Sequence, residues 1–237
     1  MTIFTDQGLD LLVRWLHIGA GITWIGLLYY FNFVQGPSVA QFEPSARTEL
    51  TRKLAPRALA WFRYAALVTW LAGVLLLLTT YGGDIFTYLG SPAGLTIASG
   101  MTLGTIMFLN VWGVIWRNQK VIIASAEAAA TGGQADPRVP ALTRRALLAS
   151  RTNVVMSIPM LFFMASSAHL SLFGSADSGK RWTYALIALV LTLLVEANAL
   201  FGDQGAATKL LDKVGSTIWT GVIFWVVLYA VIEVVTS

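Results

Sequence analysis

Six stretches of twenty or more mostly apolar residues, joined by short polar connections, constrain this chain more than any other feature. A helix needs ~20 apolar residues to cross the hydrocarbon core of a bilayer. Only structures that satisfy every backbone group internally survive there. With 237 residues, six such runs leave little length for a separate soluble domain. Charged residues make up 12% of the chain, where soluble domains carry roughly a quarter. The sequence therefore predicts one domain, 1–237, an all-α polytopic membrane helix bundle. Its helices are expected at about 8–34, 57–81, 93–116, 150–173, 182–201 and 210–235.

The basic residues set an expected orientation. Arg47, Arg52 and Lys53 fall between the first two runs, and Arg117, Lys120, Arg138, Arg144 and Arg145 fall between the third and fourth. Lys209 and Lys213 follow the fifth, while the connection around Gly82 and both tails carry none. Basic loops stay in the cytoplasm, so both termini are expected outside, with Lys180 and Arg181 as the one dissent. The longest connection, about 117–149, contains NQKVIIASAEAAA, expected as a short surface helix that GGQADPRVP ends. The opening MTIFTDQGLD has no basic n-region and no small-residue cleavage site follows, so the first run reads as a retained helix. The net charge of +4 belongs to these loops, and a nucleic-acid partner is not expected; the partner is the lipid bilayer. Without cysteine there is no disulfide, thiolate metal site, iron–sulfur cluster or C-x-x-C-H haem attachment.

The only two histidines, His17 and His169, both fall in apolar runs. Ionisable residues at membrane depth are costly and mark function. His17 is expected ~14 Å below the outer end of the first helix, and His169 about a turn from the outer end of the fourth. Arg14, His17, Gly21 and Trp24 share one helical face, where the glycine admits a flat group and Arg14 suits a propionate. Two neutral imidazoles from different helices can fill both axial positions of a haem b, and that is the expected cofactor, with His17 and His169 as metal ligands. The bland alternative is two hydrogen bonds across the bundle. Copper or zinc would lack the further ligands they need.

A second polar set lies towards the inner side. It contains Tyr30 at the end of the first helix, Asn110 and Gln119 around the end of the third, Arg151 and Asn153 at the start of the fourth, and Glu196 in the fifth. Amides, a guanidinium and aromatic rings suit a planar, anionic, hydrogen-bond-rich heterocycle. Interface belts and snorkelling bases explain many such residues equally well. Glycines such as Gly19, Gly21, Gly26, Gly100 and Gly104 read as close helix contacts. No dinucleotide or Walker loop and no nucleophilic triad can be assembled.

The segments RWLHIGAGITWIGLLYYFNFVQ, APRALAWFRYAALVTWLAG, GTIMFLNVWGVIWRNQKVI, GGQADP and RRALLASRTNVVMSIPMLFFMASSAH resemble the membrane domain of bacterial membrane-bound urate hydroxylases, from about residue 10 to at least 170. The resemblance implies a bacterial inner (cytoplasmic) membrane protein that oxidises urate to 5-hydroxyisourate and passes electrons to a c-type cytochrome. With the resemblance in hand, Glu196 and Arg151 become candidate catalytic groups, and Asn110, Asn153, Tyr30 and Gln119 candidate substrate contacts. In the family a cytochrome domain follows the helices. Here the sequence stops at Ser237 without C-x-x-C-H, so the expected acceptor is a separate c-type cytochrome or a larger membrane complex. Two other classes compete: a haem-bearing or structural subunit of a respiratory or photosynthetic complex, and a small-solute permease.

Overall fold

The computed structural model describes residues 2–202 and 204–237. It consists of helices, with no strand among the described residues. Six are long and apolar enough to cross a membrane: α1 (Asp6–Val39), α2 (Pro44–Leu89), α3 (Pro92–Ala130), α4 (Val139–Ser166), α5 (Ser178–Phe201) and α6 (Val214–Thr236). Successive antiparallel helices put both termini at one end of the bundle, the terminal end. Most arginines and lysines gather at the other, the basic end.

Apolarity accounts for the outer α5 and α6 and the enclosed α4, though not for α1, whose mean hydropathy of 1.5 goes with only 17% burial. The most apolar, α5 and α6, bury only 28% and 22% of their apolar windows and present leucine and valine outwards. The span with the most polar centre, α4, is 67% buried and packs against α1, α3, α5 and α6. Lipid solvates leucine as well as protein does, so it is the polar span that gains from enclosure. Small residues allow the close approach. A Cβ on Gly100 would meet Met164 at 3.2 Å, and one on Gly221 would meet the Ile158 side chain at 2.7 Å and the Val155 carbonyl at 3.0 Å. Gly104 and Gly21 also face neighbours, at 3.9 Å from Met160 and 3.7 Å from Thr69, whereas Gly19 and Gly26 face open space.

Four helices differ from the sequence expectation. The second runs Pro44–Leu89 and not about 57–81, so Arg47, Arg52 and Lys53 lie within it and not in a loop. The third helix does not give way to a separate surface helix after 116 but runs on to Ala130. Its alanine, glutamate, lysine and glutamine continue a helix readily, and it stops only before Gly132, whose φ is +86°. The fourth helix begins at Val139, with Pro140 in its first turn, and ends at Ser166, not at 173. The apolar residues beyond its end form a turn that tucks the Phe173 ring against Tyr184 at 4.9 Å. Arg151 and Asn153 consequently lie at the middle of α4 and not at its start. The first helix extends beyond 34 to Val39 through a π-helical segment, Tyr30–Gln35. A second π segment, Asn110–Ile115, lies in α3 and a third, Leu50–Leu54, in the basic-end part of α2.

Candidate functional site

At the centre of the bundle, side chains from α3, α4 and α5 meet in one buried network. Asn110 donates one amide hydrogen to Asn153 Oδ1 and the other to Glu196 Oε2, each at 2.9 Å. Asn153 donates in turn to the Met107 carbonyl at 3.0 Å. All three side chains are buried. Asn110 opens the π segment of α3, and the wider turn there marks many functional positions in membrane and soluble helices. A carboxylate held by a single neutral amide among apolar walls is a group that can accept a proton when its surroundings change.

Neighbouring contacts on other faces of α4 extend this polar zone. Tyr29 Oη and Ser157 Oγ lie 2.9 Å apart, and Asn32, in the π segment of α1, donates to Ser150 Oγ at 2.8 Å and to the Leu28 carbonyl. Asn32 is one of the amides that the sequence places at the inner end of the first helix, two residues past Tyr30. Arg151 is 6% exposed but does not join the Asn110 network. Two residues along a helix turn the side chain by roughly 200°, so Arg151 faces α6, where Nη1 donates to Thr217 Oγ1 at 3.3 Å. Its Nε is buried with no hydrogen-bond partner among the described residues. Tyr30 is exposed and Gln119 half-buried, and neither is hydrogen-bonded to the network. The structure thus gathers Asn110, Asn153 and Glu196, sets Arg151 on the opposite face of α4, and leaves Tyr30 and Gln119 apart.

In the half nearer the termini, α1–α4 enclose a cavity of about 520 Å³. His17, Gly21 and Trp24 line it from α1, together with Trp70 and Gly73 from α2, Met101 and Thr105 from α3, and Met160 and Met164 from α4. The volume is that of an ordinary small-molecule pocket. His17 Nδ1 lies 2.8 Å from the Thr69 carbonyl, which only accepts, so the proton is on Nδ1 and Nε2 is a free acceptor. Gly73 makes this contact possible, since a Cβ there would meet the His17 ring at 2.9 Å. The Trp24 indole N–H is buried without a partner among the described residues.

His169 is in a different place. It lies in the turn after α4, exposed, and does not line the cavity. The helix that was expected to carry it ends at Ser166, where Ser166 and Ser167 return their hydroxyls to the carbonyls of Phe163 and Met164. Arg14 is likewise engaged elsewhere, in an ion pair with Asp10 at 2.9 Å, while Asp10 also accepts from Thr80. No group of three metal-ligating His, Cys, Asp or Glu side chains occurs among the described residues.

These features define a polytopic membrane helix bundle with a buried amide–carboxylate network at its centre and an apolar cavity beside it. The family model described as urate oxidase N-terminal matches residues 83–233, well over half of the chain, and the chain belongs to that family. The match contains Asn110, Asn153, Glu196 and Arg151, whereas His17 and Trp24 precede it. No curated protein and no solved structure matches the chain.

Proposed function

We propose that this protein is a membrane oxidoreductase that converts urate to 5-hydroxyisourate, with the Asn110–Asn153–Glu196 network as its substrate-recognition centre. The observation that carries this reading is that the family match includes all three members of the one polar cluster shared by α3, α4 and α5. The edges of urate alternate N–H donors and C=O acceptors. The bonds that Asn110 now donates to Asn153 and Glu196 are of the same kind, so a purine edge replaces them without leaving a buried group unpaired. Water adds to C5 of urate as two electrons and two protons leave, and Glu196 accepts a proton in that step. Arg151 supplies positive charge that favours an anionic purine inside the bundle.

The electron relay is where the sequence expectation and the geometry part. His17 keeps Nε2 free for one axial position of a haem b, but His169 lies outside the cavity. A bis-histidine haem would find only one of its two ligands there.

The test is urate turnover by the purified protein in detergent with ferricyanide as oxidant. Glu196→Gln retains an acceptor for Asn110 and is expected to lower kcat by ~100-fold or more while the protein stays folded. Arg151→Met is expected to raise KM only a few-fold, through the loss of a nearby positive charge and not of a contact, because Arg151 faces α6. Full turnover in Glu196→Gln removes the catalytic assignment. No turnover in the wild-type protein selects the non-catalytic subunit of a larger complex.

A further inference from the structure

We propose that the cavity between His17 and Trp24 binds a lipid-soluble quinone, which enters sideways from the bilayer and accepts the electrons released from urate. The last part rests on the function proposed above; the binding does not.

Three observations point to this class of ligand. The first is the mouth of the cavity. Ile22 on α1 is 70% exposed and Leu161 on α4 is 44% exposed, and both line it. At this depth exposed surface faces lipid, so a ligand arrives from the acyl-chain region and has to be soluble there. The second is one polar group in an otherwise apolar wall. His17 offers an Nε2 acceptor whose orientation Thr69 fixes. A quinol hydroxyl donates to it, and the apolar remainder holds the ring. The third is the character of the wall. Tryptophan faces and the thioethers of Met160 and Met164 favour a flat, polarisable ring.

The cavity also lies within reach of the network. Asn153 and Met160 are seven residues apart on α4, about 10 Å along the axis. The chemistry balances: urate and water give 5-hydroxyisourate, and the two electrons and two protons convert the quinone to a quinol. His17 Nε2 holds the quinol hydroxyl.

The experiment follows quenching of tryptophan fluorescence by a short-chain ubiquinone analogue in detergent, for the wild-type protein and two variants. Gly26→Leu fills the cavity from a position where an added Cβ meets nothing within 4 Å. His17→Phe removes the acceptor. Saturable binding that Gly26→Leu abolishes, and that His17→Phe weakens about tenfold, is the expected result. Thermal unfolding of each variant identifies any that misfolds, and Gly26→Leu leaves His17 in place. Quenching that never saturates, or is equal in all three proteins, overturns the proposal, as does a haem absorbance that His17→Phe removes. Turnover of urate with ferricyanide but not with the quinone leaves the function standing and removes the quinone as its acceptor. Quinone binding without urate turnover under any oxidant overturns the function alone.

Discussion

Asn110 commits both of its amide hydrogens, one to Asn153 and one to Glu196, which makes it the most consequential single side chain of the network. Asn110→Leu leaves the Glu196 carboxylate buried without a donor. A destabilisation of about 3 kcal/mol is expected, read by unfolding in mixed micelles, where breaking one side of a buried charged contact costs most. Arg151→Met carries the opposite expectation for stability. It replaces a guanidinium with an orphaned Nε by an apolar side chain, and the stability is unchanged or higher. The residues of the network were readable in the sequence because amides and a carboxylate are expensive in apolar runs. Their grouping was not, because which face of α4 a residue occupies depends on neighbours that no single helix records. Gly73 illustrates the same limit, since its importance comes from the imidazole that packs on it from α1.

Among the helices, the α4–α6 contact depends on Gly221, where a Cβ would run into both the Ile158 side chain and the Val155 backbone. Gly221→Ala is expected to cost about 1–3 kcal/mol through forced separation of the two helices. Gly19→Ala, with nothing within 4 Å, is expected to be neutral or stabilising by the same assay. The connection 131–138 has its own fastening. Asp136 accepts from the Arg138 guanidinium and backbone N–H, and its own N–H reaches Ser125 on α3 at 2.8 Å. The guanidinium beside it lowers the Asp136 carboxyl from 3.8 to about 2. Because the folded value is depressed, this tie is fully present above the ordinary value and is lost as pH falls towards 2. Proteolysis within 131–138 is therefore expected to be faster in Asp136→Asn than in the wild-type protein at neutral pH, with the difference gone near pH 2. The number of helices was legible from hydropathy. The extension of α3 and the shift of α4 were not, because arginines and amides inside a helix lower hydropathy without ending it.

For the whole molecule, the protruding lengths are a consequence of those extensions. The 39 residues of α3 rise ~58 Å, nearly twice the ~30 Å hydrocarbon core. Its basic-end part is clamped to that of α2 by a bidentate contact of Arg52 with Glu127, at 2.6 and 2.8 Å. The chain has no cysteine, so single cysteines report sidedness directly. If the basic end faces the cytoplasm, Gln134→Cys in whole cells resists a membrane-impermeant thiol reagent until the membrane is breached, and Ser175→Cys reacts at once. The mouth bordered by Ile22 and Leu161 changes what concentration means for this protein. A ligand that arrives through it is sampled per lipid molecule and not per litre. Adding empty liposomes at constant total ligand dilutes it in two dimensions, so occupancy falls although nothing in the aqueous phase has changed.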